Sequence, residues 1–204
     1  TDEIVSKYND KRIVYLKNEK NSGAAISRNR ALRNAKGKWI AFLDSDDLWH
    51  PTKLEKQIKF MKKNGHFFSY TSYEENDVVN GVKVTGPKKI TKMGMYRYCW
   101  PGCLTVMYDA EKVGKIQIAD IKKNNDYAMW LQAIEKSNCY RFPECMSFYI
   151  KHECSVSSGS KIKLIKWHYI LFKDGLHKNK LISVLLTARN LFFGVIKKMK
   201  YRKK

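Results

Sequence analysis

Three carboxylates in four residues, Asp44, Asp46 and Asp47, follow the apolar run Trp39-Ile40-Ala41-Phe42-Leu43. The run has the composition of a buried strand, and the acids fall where it should end. In open α/β sheets, ligands bind outside the carboxyl ends of strands. Carboxylates crowded there repel one another unless a cation lies between them, and hard oxygen ligands suit Mg²⁺ or Mn²⁺. A metal held in this way would in turn hold a diphosphate. An acidic turn capping the next helix would contain the same residues, because Asp is common in both roles.

Two further groups could do chemistry. Arg28 and Asn29 lie in the first turns of a helix expected over 24–35, where a cation and amide groups can meet phosphate oxygens. A plain surface charge is the other reading of Arg28. Tyr127, Trp130, Leu131 and Ile134 recur at helical spacing, so Asp126 falls at a helix start. Free amides and the helix dipole stabilise a carboxylate there, so on its own Asp126 is equally a helix cap.

The elements that must position these groups alternate as in an α/β domain. Thr1 and Asp2 cap a first helix carrying Ile4, Val5 and Tyr8. Lys11 to Asn18 is expected as a strand, and the next helix ends before Gly37. Pro51 opens a helix with Leu54, Ile58 and Met61 on one face, and Gly65 stops it. His66 to Tyr73 is a strand, and Asn80-Gly81 between β-forming residues suits a hairpin. Trp100 to Tyr108 is another strand, entered through Pro101-Gly102. Tyr96, Tyr98 and Trp100 could stack on a sugar or fill the core.

The chain resembles the family 2 glycosyltransferases, inverting enzymes with the GT-A fold. The resemblance rests on Asn21-Ser22-Gly23, Ser27-Arg28-Asn29, Ala35-Lys36-Gly37 and Asp44-Ser45-Asp46-Asp47, in that order. Ser27 stands where that family usually has Ala. Leu48-Trp49-His50-Pro51 and Lys53-Leu54-Glu55-Lys56-Gln57 are similar to the subgroup that builds bacterial surface polysaccharides, of the teichuronic-acid type. The resemblance covers residues 1–160 and implies a GT-A sheet with flanking helices.

The same resemblance implies roles. Asp126 matches the family's catalytic base in an acidic-Asp-Tyr-x-x-Trp-Leu motif, with Asn125 where a second acid is common. Asp44 and Asp46 would hold Mn²⁺ or Mg²⁺ and, with Arg28 and Asn29, a nucleotide-sugar, taken to be a UDP-sugar. Tyr149-Ile150-Lys151-His152, followed by serines, is similar to a loop that closes over the donor diphosphate, which implicates Lys151 and His152. Trp100, Asp47 and Trp130 are candidates for contact with a glycan or lipid-linked acceptor. The family usually begins with two strands and an acidic loop, of which Thr1-Asp2 resemble the end; the expectation is a chain lacking those first strands. If this is the whole protein, the expected alternative is a catalytically incompetent fragment.

Composition agrees with a phosphate-handling protein. Forty basic against 19 acidic residues give a net charge of +21, which favours polyanions. A basic nucleic-acid-binding protein is the other alternative the charge allows, but the basic residues are spread along the chain and no nucleic-acid motif is present, so a specific nucleic-acid partner is not expected. Five cysteines without C-x-x-C spacing argue for a reducing compartment and against a disulfide framework. From residue 161 strand signals cease. An amphipathic helix, the apolar stretch 181–196 and the basic end Lys197 to Lys204 form a C-terminal extension of 161–204. The stretch is short for a membrane span, so the expectation is a peripheral anchor on anionic lipid at the cytoplasmic face of the plasma membrane. A helix packed on the domain is the plainer alternative.

Overall fold

The computed structural model describes residues 1–75, 81–150 and 161–203. In chain order these form α1 (Asp2–Val5), α2 (Gly23–Asn34), β1 (Trp39–Ala41), β2 (Leu48–Trp49), α3 (Lys53–Asn64), β3 (Phe68–Glu75), β4 (Val82–Val84), β5 (Lys89–Ile90) and α4 (Lys92–Arg97). A 3₁₀ turn at Cys103–Thr105 leads to β6 (Val106–Asp109), α5 (Ala110–Val113), α6 (Asn125–Ala133) and β7 (Cys139–Tyr149). Then come α7 (Lys161–Ile170), a π-turn at Leu171–Gly175, α8 (Lys180–Tyr201) and β8 (Arg202–Lys203).

All strands join one mixed sheet with β3 at its centre. The first five residues of β3 are all buried, as expected of a strand covered on both faces. One edge of β3 pairs antiparallel with β6 through Phe68–Tyr70 and then with β4 through Tyr73–Glu75. Its other edge pairs parallel with β7, which also takes β2 and β5. β1 adds to β6, with Ile40 opposite Tyr108. Helix α6 lays Tyr127 to Leu131, all buried, against this sheet. Its Trp130 ring lies 5.5 Å from Phe42 and 5.9 Å from Phe68. Buried side chains of this size each stabilise the fold by roughly 1.5–3 kcal/mol.

Helix α3 ends as the sequence suggests: Gly65 takes the left-handed conformation, φ 63°, and its N–H donates to the last carbonyls. Its inner face holds a polar string that apolar spacing does not announce. Lys53 Nζ donates to Gln57 Oε1 at 2.9 Å, and Gln57 Nε2 donates to Ser69 Oγ and to the Thr105 carbonyl. Burial pushes the Lys53 amine down to about 7, while the ammonium form faces the Trp49 ring at 4.3 Å.

Several local expectations need correction. Residues 11–18 form a turn and extended chain with no ladder partner, and Val14 stays 71% exposed. An apolar run becomes a strand only when another strand satisfies its amides. The first helix is a single turn, and the strand expected from Trp100 is shortened by the 3₁₀ turn to Val106–Asp109. β4 does pair antiparallel with β3, while residues 76–80, with the Asn80 turn, lie outside the described residues. β7 went unseen because Arg141, Pro143 and Glu144 break its apolar alternation. The register slips between the Tyr70–Arg141 and Ser72–Cys145 pairs, and such an irregularity is where a strand tolerates proline.

Candidate functional site

At the end of β1 the buried Phe42 anchors the chain, which then turns outward. The Asp47 N–H donates to the Asp44 carbonyl at 3.1 Å, closing a turn over residues 44–47. The turn brings the carboxylates of Asp44, Asp46 and Asp47 together, one oxygen of each within 4.8 Å of the others. Asp46 is exposed, Asp44 half-buried and Asp47 buried. Asp47 also accepts a hydrogen bond from the Ile150 N–H at 3.3 Å. Burial pushes its carboxyl up to about 6, with Asp46 and Asp44 adding to the rise and the Ile150 N–H and Arg28 opposing it. Three hard oxygen donors in this arrangement fit Mg²⁺ or Mn²⁺.

Helix α2 faces this turn. The Arg28 guanidinium donates to Asp44 Oδ1, a pair that is mostly shielded on the arginine side. Burial works against the charge of Arg28, but Cys103, Asp44 and Asp126 together hold its pKa above the ordinary value. Asn29 faces elsewhere. Its Nδ2 donates to the Ile118 carbonyl at 2.8 Å, and its Oδ1 accepts from the Ile118 N–H at 2.6 Å. That two-point clip ties the segment before α6 to α2.

Asp126 lies in the first turn of α6, behind Asn124 in the left-handed conformation, φ 58°. It accepts from the Tyr127 N–H at 2.8 Å. Burial raises the Asp126 pKa from its ordinary value; the Tyr127 N–H and Arg28 pull it down, and Asp44 pushes it up. Arg28 is therefore bonded to Asp44 and within electrostatic reach of Asp126. A carboxylate whose pKa is raised by burial is a better base than one in water.

The aromatic candidates do not join this cluster. Trp100 is buried, donates from Nε1 to the Gly94 carbonyl at 2.9 Å, and lies edge-on between Tyr98 and Tyr201. Trp130 is fully buried beneath Phe42. Lys151 and His152 lie outside the described residues.

Two residues not picked out from the sequence are electrostatically coupled to it. Cys103 sits at the 3₁₀ turn; burial raises its thiol pKa, as do Asp126, Asp44 and Asp47, while Arg28 lowers it. Lys197, on α8, donates to the Cys99 and Trp100 carbonyls, each at 3.2 Å. Burial lowers its pKa, and Cys99, Glu75 and Asp126 counter that. In the sequence Cys103 is one of five cysteines without pairing spacing, and Lys197 opens the basic end read as part of a lipid anchor. No spacing signal connects either residue to Asp126.

A mixed sheet with an acid cluster at a strand exit, faced by a basic helix and a buried carboxylate, defines a GT-A-type glycosyltransferase architecture. Residues 1–109 match the family model described as glycosyl transferase family 2. The chain belongs to that family. It is 38% identical over 199 residues to the Escherichia coli UDP-Glc:alpha-D-GlcNAc-diphosphoundecaprenol beta-1,3-glucosyltransferase WfaP, covering 96% of this chain and 77% of the relative. A second E. coli enzyme of the same description, WfgD, is 36% identical over 197 residues, covering 95% of this chain and 76% of the relative. Among solved structures, S. aureus TarS 1–349 in complex with UDP-GlcNAc superposes with a TM-score of 0.68 at 17% identity, over 93% of this chain. The chain spans 58% of the length of that structure, and the likeness is one of fold.

Proposed function

We propose that this glycosyltransferase moves a hexose from a UDP-sugar to a hydroxyl of a lipid-linked saccharide, with inversion, during surface-polysaccharide synthesis at the inner face of the plasma membrane. The observation that carries the reading is the Arg28–Asp44 ion pair beside the Asp44–Asp47 cluster, with the buried Asp126 carboxylate electrostatically coupled to both Arg28 and Asp44. One side of that arrangement suits a charged leaving group, and the other suits a base. The acceptor class and the UDP donor are carried over from the names of the E. coli relatives.

In this reading Asp126 accepts the proton of the acceptor hydroxyl as its oxygen bonds to the anomeric carbon. The bond from that carbon to the diphosphate oxygen breaks, and the electron pair leaves with the nucleoside diphosphate. A single displacement of this kind inverts the anomeric centre. Asp44 and Asp46, with Asp47 behind them, would hold Mn²⁺ or Mg²⁺, which when bound neutralises charge on the leaving diphosphate. Arg28 adds a fixed positive charge beside the same oxygens. Base assistance typically contributes ~10²–10⁴-fold.

The test is transfer from UDP-hexoses to an undecaprenyl-diphosphate-linked N-acetylhexosamine, with the product anomer read by NMR. A β-linked product from an α-linked donor, lost in Asp126→Asn, supports the proposal. Retention of configuration, or full activity in the variant, would overturn it.

A further inference from the structure

Helix α8 is amphipathic in the reverse sense. Beside Leu186 and Tyr201, which pack on the core, its buried residues are polar, Ser183, Thr187 and Asn190, with Gly194 and Lys197 continuing the same line at three- and four-residue spacings. Each has a task there. The Ser183 hydroxyl donates to the Asn179 carbonyl, and the Thr187 hydroxyl donates to the Ser183 carbonyl. Asn190 Nδ2 donates to the Tyr96 carbonyl at 3.1 Å and to the Tyr127 hydroxyl at 2.9 Å. At Gly194 a Cβ would come within 2.9 Å of the Tyr98 ring, so the helix can approach only because none is there. Lys197 reaches the carbonyls of Cys99 and Trp100.

The opposite face carries the apolar side chains. Leu181 is 71% exposed, Phe192 64% and Met199 80%, and Val184, Leu185 and Val195 are exposed between them. At ~1.5 Å rise per residue, the stripe from Leu181 to Met199 runs for roughly 27 Å of this 22-residue helix. Arg189 and Lys200 border it on one side, Lys180 and Lys198 on the other, and no acidic residue occurs in the helix. No helix among the described residues is long and apolar enough to cross a membrane. An apolar stripe bordered on both sides by cations matches the headgroup–acyl boundary of an anionic bilayer, where apolar groups enter and ammonium groups meet phosphates.

We propose that α8 docks its outer face, Leu181 to Met199, on an anionic lipid surface. The inner face of the same helix grips Tyr96 to Trp100 and, through Asn190, the Tyr127 ring next to Asp126. Docking would therefore set the orientation of the acceptor side relative to the lipid. This rests on the reading that the acceptor is lipid-linked, and it names the surface through which the protein meets the bilayer.

Flotation of the full chain with phosphatidylcholine vesicles, with and without phosphatidylglycerol, tests it. Binding should require phosphatidylglycerol and weaken with salt. Leu185→Asp/Phe192→Asp should reduce it at least about tenfold, with the melting temperature and activity on a short-chain soluble acceptor unchanged. Activity on a vesicle-borne acceptor should fall with binding. Absence of wild-type binding, or equal binding by the variant, would overturn the inference. A dimer in sedimentation equilibrium that the same variant dissolves, without lipid binding, would assign the face to a second copy and overturn it equally. UDP binding measured in parallel separates the two readings. Donor binding without vesicle binding sinks only the docking face, and vesicle binding without donor binding sinks only the glycosyltransferase chemistry.

Discussion

Asp126 is approached from two sides that are built differently. On one side the Asp44–Asp47 turn and Arg28 form a cluster of competing charges, held by few hydrogen bonds and partly exposed. On the other side α8 meets the domain through the Asn190 amide, whose Nδ2 donates to a backbone carbonyl and a phenol, and the Lys197 ammonium, which donates to two backbone carbonyls. Like charges in proximity oppose folding, whereas matched buried polar groups favour it. In the proposed reading the acid side serves ligands, and the α8 side holds Tyr96–Trp100 and Tyr127 in place. Substitutions on the first should remove activity and spare stability; substitutions on the second should do the reverse.

The largest effect is expected at Asp126. Asp126→Asn should lower turnover by about 10²–10⁴-fold with an unchanged or higher melting temperature, since burial disfavours the carboxylate it replaces. Loss of folding in that variant, followed by circular dichroism, would break the distinction between the two sides.

Arg28→Gln sharpens it. Removal of a fixed charge beside the leaving group should lower kcat/KM by roughly 10²-fold. Arg28 also lowers the Asp126 pKa, and the proposed base would work only when deprotonated, so activity should rise with pH through that pKa. Without Arg28 the acid limb of the kcat/KM profile should move to higher pH. An unmoved limb would mean that the two groups are not coupled.

On the α8 side, Asn190→Leu leaves the Tyr96 carbonyl and the Tyr127 hydroxyl without their donor. It should destabilise by about 1–3 kcal/mol in chemical denaturation, with activity per folded molecule retained at low temperature. A variant of normal stability and no activity would move α8 to the catalytic side of the comparison.

The smallest effect belongs to Asp47. Its pKa is raised from 3.8 to about 6 in the folded state, so the native protein binds more protons than the unfolded chain between those values. Metal-free stability should therefore fall as pH rises from 4 to 6. Asp47→Asn should remove that fall and add roughly 0.5–2 kcal/mol above pH 6, with no gain below pH 4. The same variant should weaken Mn²⁺ binding, measured by calorimetry.

The same contrast explains what could be read from the chain before its structure. The acid turn was legible because its chemistry is local: a strand, an exit and three carboxylates within nine residues. The placement of Asp126 at a helix start was legible for the same reason. Arg28 meeting Asp44 required the order of motifs, since 16 residues separate them. Asn190 and Lys197 were not legible, because their partners lie up to 98 residues away and are backbone carbonyls and a tyrosine hydroxyl, which carry no sequence signature. The apolar spacing of α8 was visible. Its direction was not, because the periodicity of a helix does not say which face turns inward. β7 escaped because its proline and charges fall at the register slip, where the usual alternation is suspended.

Thermal melting with a panel of nucleotide-sugars, with and without Mn²⁺, tests the central claim most directly. One donor should raise the melting temperature in a metal-dependent manner, and Asp46→Ala should abolish that rise while melting normally by itself. A shift independent of metal and unchanged in Asp46→Ala, or no shift with any donor from a protein that melts cooperatively, would contradict the assignment of the Asp44–Asp47 turn as the donor site.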